Sequence, residues 1–284
     1  MRGPTLLCVA VVLLAAGCSD PAASPSPSTG VAPGLSENSL VVDGLTRDYL
    51  LYRAAAVTGP APLVLVLHGS SESAAMSEQQ RGWDQAADRH GFVVAYLDGI
   101  SHSFNAGSCC GPAAARHIDD VSASLAVIDT ISEGTPIDTT RVYAAGFSNG
   151  AGLAYRLACE TDRFAAIGPV SGSEMTPCVT RRPTSILHIH GNADIVIQPR
   201  GGKLPNGSVT PPVGEVLSAW RTAMSCDAAT ETTKGRVHSS AAACPDGRDV
   251  NLLLVEGLPH TWSTDSTVLD TTETLAQFFD AHAH

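Results

Sequence analysis

The stretch AAGFSNG, residues 144–150, places a serine between two glycines at the end of an apolar run. The pattern Gly-x-Ser-x-Gly is typical of a nucleophile elbow, a sharp turn from a strand into a helix that exposes the serine hydroxyl. RVYAAG before the turn has the composition of a strand, and NGAGLAYRLACE after it has a helical pattern. A polar tight turn is the alternative, but this context favours Ser148 as the nucleophile of an acyl-transfer reaction.

A serine hydroxyl is a weak nucleophile at neutral pH, so it needs a base whose orientation a third group fixes. Among the ten histidines, His260 lies on a short loop after the last predicted strand, in EGLPHTW. Asp194 follows an earlier predicted strand in HGNADIV, although an isolated aspartate there is also typical of a turn. The chain order Ser148, Asp194, His260 is the order in nucleophile-elbow hydrolases, so we predict these residues as a catalytic triad.

Acyl transfer also needs two backbone N–H groups that receive the negative charge of the tetrahedral intermediate. In elbow hydrolases one belongs to the residue after the nucleophile and the other to the loop after the third strand. Here we predict the N–H groups of Asn149 and, in LVLHGSS, of Ser70. Trp262, Trp83 and Asn105 are candidates for lining the substrate cleft, although a packing role is equally consistent with each.

Three other histidines, His68, His188 and His190, lie in or at the ends of apolar strand runs, where a hydrogen-bonded structural role is expected. A metalloenzyme that uses His188, His190 and the adjacent Cys109 and Cys110 is an alternative hypothesis. The sequence has no standard spacing of metal ligands in its favour. We therefore expect no metal and no cofactor.

The elements that must position these residues are eight candidate strands alternating with helical patterns. The strands are predicted near residues 38–43, 47–52, 62–67, 92–97, 141–146, 165–170, 184–190 and 250–256, and the helices near 76–90, 117–132, 149–160, 213–224 and 267–282. This order predicts an α/β fold with an eight-stranded, mostly parallel sheet and helices on both faces. The motifs HGSS, GFSNG, HGNAD and EGLPH follow four of the strands, so they should share one edge of the sheet. Only GSEMTPCVTRRP separates the sixth strand from the seventh, which predicts an open site without a large lid.

Composition and charge limit the possible functions. With 44% hydrophobic and 16% charged residues, the chain of 284 residues can bury a sizeable core. Its formal net charge of −11 repels phosphate backbones, so we expect no nucleic-acid partner. Aromatic residues make up 5% of the chain, which argues against a broad carbohydrate-binding platform.

The N-terminal residues have the pattern of an export signal. Arg2 precedes an apolar run too short to span a bilayer, and LAAGC follows at once, which resembles a bacterial lipoprotein signal over residues 1–18. It implies lipidation of Cys18, and a plain secretory signal is the alternative. Residues 19–37 are rich in Pro and Ser and predict a disordered tether, followed by a catalytic domain over 38–284. We therefore expect an extracellular protein that a lipid on Cys18 anchors to the cell membrane, or one that is fully secreted.

Export places six cysteines of the domain in an oxidising compartment. Cys159 ends the helix after the elbow, so it should lie at the sheet edge opposite the active site. Cys178 shortly precedes the seventh strand at that same opposite edge, so we predict that the two cysteines pair. Cys226 and Cys244 flank the segment before the eighth strand, and a second bridge is predicted there. For Cys109 and Cys110 a bridge between adjacent residues, two free thiols and a metal site remain open.

Together these motifs resemble the polyhydroxybutyrate-depolymerase and feruloyl-esterase group, which includes carbohydrate esterase family one. The similarity extends from about residue 39 to the end of the chain and rests on LVLHGSSES, WDQAADRHGFVVAYLDG, FNAGSCCGPA, HIDDVSASLAVID, RVYAAGFSNGAGLAYRLACE, HIHGNADIVI and GLPHTWS. It implies an α/β-hydrolase fold and a serine esterase with nucleophile Ser148, acid Asp194 and base His260. HGSSES departs from the glycine-rich or cysteine-containing oxyanion loop of many relatives, and HIDDV and GLPHTWS match the family pattern loosely.

The resemblance implies an ester substrate, which polymers could supply. Feruloyl or acetyl esters on polysaccharides are the substrates that we expect, and a short-chain polyhydroxyalkanoate is the alternative. A surface lipoprotein that binds ligands without catalysis is a further hypothesis. We expect a monomer.

Overall fold

The computed structural model describes Met1, Gly3 and residues 32–284. The predicted signal segment apart from Met1 and Gly3, Cys18, and the tether as far as residue 31 lie outside the described residues. The strands are β1 Gly34–Val42, β2 Leu45–Arg53, β3 Ala61–Leu67, β4 Val93–Leu97, β5 Ile137–Phe147, β6 Ala166–Val170, β7 Ser185–Gly191, β8 Gly202–Lys203, β9 Val209–Thr210, β10 Thr230–Lys234, β11 Val237–Ala243, β12 Asp249–Val255, β13 Thr264–Asp265 and β14 Leu269–Asp270. The helices are α1 Ala74–Arg81, α2 Trp83–His90, α3 Pro112–Ala115, α4 Asp120–Gly134, α5 Asn149–Glu160, α6 Val213–Ala223 and α7 Thr271–Asp280.

The main sheet has the strand order β1-β2-β4-β3-β5-β6-β7-β12-β11-β10. The central strands β4, β3, β5, β6, β7 and β12 pair in parallel, and antiparallel strands extend the sheet at both ends. Side chains of β3, β4, β6 and β7 are buried on both faces, which is typical of parallel strands covered by helices. The predicted α/β fold with a mostly parallel sheet is therefore confirmed.

Two apolar cores lie on opposite faces of this sheet. One core packs side chains of α4, α5 and α6 against the strands, and the other packs α1, α2 and α7. Because the central strands run in parallel, their carboxyl ends meet at one edge, where the loops carrying the candidate residues begin. The sheet thus brings together motifs that are far apart in the sequence.

Three sequence expectations about the elements need correction. The sheet has ten strands rather than eight, because the polar hairpin β10–β11 continues it beyond β12. Residues 34–37, placed in the tether by their composition, begin β1, since Gly34 pairs with Arg53 of β2. The single helix expected over 76–90 is divided into α1 and α2 at Gly82, whose φ of 67° interrupts the helix.

The structure joins the six cysteines of the domain in three pairs. Cys159 is bridged to Cys178 and Cys226 to Cys244, the pairs expected from the sequence, and the adjacent Cys109 and Cys110 are also bridged. The hairpin β10–β11 lies between Cys226 and Cys244, so that bridge closes the base of a segment whose first strand is fully exposed. Within the described part of the chain, no helix combines the length and apolar character needed to cross a bilayer.

Candidate active site

Ser148 occupies the turn between β5 and α5, with φ 52° and ψ −111°. Its own N–H donates to the carbonyl of Val170 over 2.9 Å. Both flanking glycines are required by space: a Cβ on Gly146 would lie 2.2 Å from the carbonyl oxygen of Gly150, and one on Gly150 would lie 2.3 Å from that of Leu67. The elbow geometry inferred from the pattern is therefore present. Close backbone contacts on both sides hold Ser148 in its strained, positive-φ conformation.

His260 connects the serine to the aspartate. Its Nε2 lies 3.0 Å from Oγ of Ser148 and its Nδ1 lies 2.7 Å from Oδ2 of Asp194. Because a carboxylate only accepts, Nδ1 carries the proton of the neutral ring, and Nε2 is left to accept from the serine hydroxyl. The His260 side chain is 16% exposed whereas that of Asp194 is fully buried. This geometry allows the imidazole to take the hydroxyl proton as Oγ attacks a carbonyl.

Asp194 is a buried carboxylate that accepts three hydrogen bonds and has a second imidazole close to its Oδ2. Backbone N–H groups of Val196 and Ile197 donate to Oδ1 over 2.8 and 2.9 Å, while His260 and His190 face Oδ2 at 2.7 and 3.2 Å. Burial alone would raise the pKa of Asp194, but the hydrogen bonds from His190 and His260 and from the N–H of Ile197 outweigh it and hold the pKa well below its usual range. The carboxylate is therefore ionised at neutral pH.

The two predicted oxyanion donors lie on segments that pack against each other. Gly150, in the first turn of α5, approaches the carbonyl oxygens of Leu67 and His68, directly before the loop that carries Ser70. Among residues 32–284, the backbone N–H groups of Ser70 and Asn149 find no acceptor. Neither group is therefore committed to a partner within the described residues, and their role as oxyanion donors stays a prediction.

His68 holds the base of the Ser70 loop. Its Nδ1 lies 2.6 Å from the carbonyl oxygen of Gly69, and its Nε2 accepts from the N–H of Gly99 over 2.9 Å. These two contacts are satisfied when the proton of the ring lies on Nδ1. His68 therefore links the ends of β3 and β4 and has the hydrogen-bonded structural role expected from its position.

Arg81 connects three loops of the site, and sequence reasoning missed it. Its buried guanidinium pairs with Glu72, which also accepts the N–H of Gly69 over 2.7 Å. It lies 5.1 Å from the ring of Phe147 and 5.2 Å from the ring of Trp262. These residues stand on the Ser70 loop, directly before Ser148 and shortly after His260, so one cation contacts all three segments. Only the burial of an arginine at the end of α1 reveals this role, and a single sequence does not report burial.

The side chain of Asn149 fixes another loop beside the elbow. Its Oδ1 accepts from the N–H of Phe104 over 2.7 Å, and its Nδ2 donates to the carbonyls of Phe104 and Cys109 at 3.0 and 3.5 Å. The segment with the bridged Cys109 and Cys110 is thereby held against the start of α5. The sequence had assigned a role to the backbone of Asn149 alone.

The expected cleft-lining residues mostly pack inside the domain. Trp83 is fully buried and stacks on Phe279 at 6.0 Å between ring centroids, so the prediction that it lines the cleft is wrong. Trp262 is half-buried, and its indole N–H donates to Thr272 over 3.0 Å, which anchors the segment after His260. Asn105 is also half-buried and donates to the carbonyl of Ile118 over 2.8 Å. An aromatic side chain buries a large apolar surface, which explains why Trp83 lies in the core.

Aliphatic side chains are exposed beside the candidate acid. Ile195 directly follows Asp194 and is 85% exposed, and Val196 and Val209 are 51% and 67% exposed. Val209 belongs to the small hairpin β8–β9, which packs on the Cys109 segment through Leu204. A cavity of about 460 Å³ lies along this surface. No sequence pattern indicated this cavity, because the hairpin is short and consists mainly of turn residues.

Comparisons with known proteins show that the chain is similar to esterases. A family model described as Esterase PHB depolymerase matches residues 47–180. "Putative esterase NocK" of Nocardia uniformis subsp. tsuyamanensis is 32% identical over 250 residues, which cover 78% of this chain and 72% of that protein. "Feruloyl esterase B" of Piromyces equi is 33% identical over 156 residues, covering 50% of this chain but only 28% of that protein.

A solved structure shows the fold independently. "Acetyl xylan esterase from Aspergillus awamori" superposes with a TM-score of 0.62 at 14% identity, over 87% of this chain and 99% of that one. At this identity the likeness establishes the α/β-hydrolase fold alone. The fold, the elbow serine and the match to NocK lead to one assignment: the chain belongs to the Esterase PHB depolymerase family and is a serine esterase.

Proposed function

We propose that the protein hydrolyses carboxylic esters through a covalent acyl-enzyme, with Ser148, His260 and Asp194 as its triad. The observation that carries the proposal is the continuous contact from Oγ of Ser148 through the His260 ring to the buried carboxylate of Asp194. An elbow serine beside a correctly oriented imidazole is the arrangement that acyl transfer requires.

In the first half-reaction, Oγ of Ser148 attacks the ester carbonyl while Nε2 of His260 takes the hydroxyl proton. The N–H groups of Asn149 and Ser70 receive the oxyanion. Collapse of the intermediate breaks the bond to the alcohol oxygen, to which His260 returns the proton. In the second half-reaction water attacks the acyl-enzyme, His260 accepts its proton, and the acid leaves as Oγ regains a hydrogen.

For the substrate we propose feruloyl or acetyl esters on polysaccharides. The match to the feruloyl esterase of Piromyces equi supports this class. Residues 171–184 between β6 and β7 contain no helix, so no helical lid covers the serine from that segment. A protruding side group of a polymer could therefore reach the site without a rearrangement of the chain.

A short-chain aliphatic polyester is the second candidate substrate. The observation in its favour is the exposure of the aliphatic side chains of Ile195 and Val196, which directly follow Asp194 in the sequence. Such a surface would contact methyl and methylene groups of a polyester more favourably than the hydroxyl groups of a sugar.

A substrate panel distinguishes the two candidates. We expect the full chain to hydrolyse p-nitrophenyl acetate and, of the natural esters, methyl ferulate or acetylated xylan faster than a hydroxybutyrate oligomer. Faster hydrolysis of the hydroxybutyrate oligomer would favour a short-chain polyester as the natural substrate. In that case Ile195→Ser should slow the oligomer but not p-nitrophenyl acetate, and Val41→Ser, at a 69% exposed site on β1, should change neither.

We further propose that the protein is exported and anchored outside the cell by a lipid on Cys18. The LAAGC motif and the three bridged cysteine pairs support export to an oxidising compartment. Cys18→Ala is expected to move the protein from the membrane fraction to the medium or to leave an unprocessed precursor. Cys8→Ala, within the same signal segment, is the matched control and should leave the membrane fraction unchanged. Membrane retention of Cys18→Ala in fully processed form would contradict the anchor.

A further inference from the structure

Next to Asp194, three buried polar side chains form a row of hydrogen-bond contacts that extends into the core of the domain. The hydroxyl of Tyr155 lies 2.7 Å from Nδ1 of His188, and Nε2 of His188 lies 2.9 Å from Nδ1 of His190. Nε2 of His190 lies 2.8 Å from the carbonyl oxygen of Ile197 and 3.2 Å from Oδ2 of Asp194. The two histidines are 0% exposed and Tyr155 is 1% exposed, so bulk water does not reach these three side chains.

The backbone explains why these groups meet. His188 and His190 are two residues apart on β7, so their side chains point to the same face of the sheet. Their rings stack at 5.2 Å with an interplanar angle of 4°. Tyr155 reaches them from α5, the helix that begins at the elbow. The same helix therefore connects to both the serine and the aspartate of the proposed triad.

The hydrogen bonds among Tyr155, His188 and His190 all run in the same direction from donor to acceptor. The carbonyl of Ile197 and the carboxylate of Asp194 can only accept, so Nε2 of His190 carries a proton. In neutral His190, Nδ1 is then an acceptor and must receive Nε2–H of His188. Nδ1 of His188 is left to accept the hydroxyl proton of Tyr155. With both rings neutral, this is the arrangement that satisfies every contact, and each donor lies on the side that faces Ile197 and Asp194.

Burial keeps His188 and Tyr155 uncharged. Burial, and then the neighbouring His190, lowers the pKa of His188 far below its usual range, while burial, and then Glu174, raises the pKa of Tyr155. Glu174 is itself paired with Arg181 over 2.8 Å. His188 therefore has a single N–H to donate in the pH range in which a histidine base works.

We infer that His190, His188 and Tyr155 form a one-way hydrogen-bond relay that positions the Asp194 carboxylate, and that they are positioning residues of the ester hydrolysis proposed above. The inference rests on that proposed function. Backbone N–H groups occupy Oδ1 of Asp194, and the two imidazoles occupy Oδ2. The contact from His190 fixes the rotation of the carboxylate, and this rotation sets the direction in which His260 points its Nε2.

Two variants of His190 separate this role from simple packing. The amide of His190→Gln can place a donor near the position of Nε2, whereas the shorter His190→Asn reaches only the position of Nδ1. We expect His190→Asn to lower kcat for p-nitrophenyl acetate by on the order of 10- to 100-fold with little change in KM. His190→Gln should restore most of the activity. Rates are measured per fluorophosphonate-titrated serine, so unfolded molecules do not contribute.

The pH profile provides the second readout. In His190→Asn, Asp194 loses a neutral donor and presents more of its charge to His260, so the acid limb of kcat/KM should move to higher pH. Equal kcat per titrated site and equal profiles for the Asn and Gln variants would overturn the inference. If His190→Asn does not fold, Tyr155→Phe decides: it retains the ring, and an unchanged kcat and profile would likewise contradict the relay.

A Ser148→Ala control separates failure of the inference from failure of the proposed function. If Ser148→Ala is inactive while the relay variants match the parent, the relay alone is wrong. If Ser148→Ala retains activity, the triad itself is wrong and the relay has no reaction to support.

Discussion

Ser148→Ala should lower kcat/KM for p-nitrophenyl acetate by on the order of a million-fold. Oγ of Ser148 forms the covalent bond to the acyl group, and no other hydroxyl is in contact with Nε2 of His260 among the described residues. The backbone donors and the binding surface remain, so a small residual rate above that of water is expected. The measurement is initial-rate kinetics on purified full-length protein, with folding verified by thermal unfolding.

Ser132→Ala is the matched control. Ser132 lies on α4, where its hydroxyl donates to the carbonyl of Ile128, away from the elbow. We expect the parental rate from this variant. Activity of Ser148→Ala comparable with the parent would exclude the triad. If the parent itself hydrolyses none of the esters in the panel, a surface lipoprotein that binds without catalysis becomes the better hypothesis.

Asp194→Asn should lower kcat by about 10,000-fold while leaving the fold intact. The N–H groups of Val196 and Ile197 hold the amide oxygen at the position of Oδ1, so the amide NH2 group faces His260 and can accept no hydrogen bond from its Nδ1–H. The imidazole then favours the tautomer with its proton on Nε2, which cannot take the proton of Ser148. The effect is measured as kcat at the pH optimum of the parent. Asp246, whose side chain is 82% exposed, provides the control: Asp246→Asn should leave the rate unchanged.

The same substitution should also change how the free energy of unfolding depends on pH. Because the pKa of Asp194 is depressed in the folded protein, its ionisation stabilises the fold above the usual aspartate pKa. This contribution is lost as the pH falls through the depressed value. The difference in free energy of unfolding between parent and Asp194→Asn should therefore narrow towards acid pH. A difference that widens in acid would contradict a carboxylate held ionised by its hydrogen bonds.

The central sheet and the candidate triad could be predicted because local signals and topology agree. Buried parallel strands appear in the sequence as continuous apolar runs, and their carboxyl ends share one edge. Residues at the ends of β5, β7 and β12 therefore had to come close together, whatever the intervening segments do. The contacts of Ser148, Asp194 and His260 follow from that placement.

Features that depend on tertiary burial could not be predicted. The strands β10 and β11 consist of TETTK and VHSSAAA, and backbone pairing rather than an apolar pattern holds them in the sheet. For Trp83 the sequence left a cleft-lining role and a packing role equally open, and only its full burial in the structure decides for packing. Nothing in the sequence around Arg81 indicated a role, and only its contacts with Glu72, Phe147 and Trp262 show that it connects the loops of the candidate site.

The histidines of HIHG illustrate the same limit. Their position in an apolar strand correctly indicated hydrogen-bonded, buried side chains. The sequence could not show that Tyr155, on a different element, completes the chain, because that contact depends on how α5 packs against β7. Pattern analysis identifies which strand a polar residue occupies, but the partner across the core appears only in the folded structure.

Fluorophosphonate labelling of the folded full-length protein, followed by mass mapping of the adduct, tests the central claim most directly. The reagent reacts with a serine whose hydroxyl is activated by a neighbouring base and does not depend on knowledge of the natural ester. We predict one adduct, on Ser148, which is absent from Ser148→Ala and strongly reduced in Asp194→Asn. Absence of an adduct on the folded parent, or an adduct on another residue, would contradict the proposed triad.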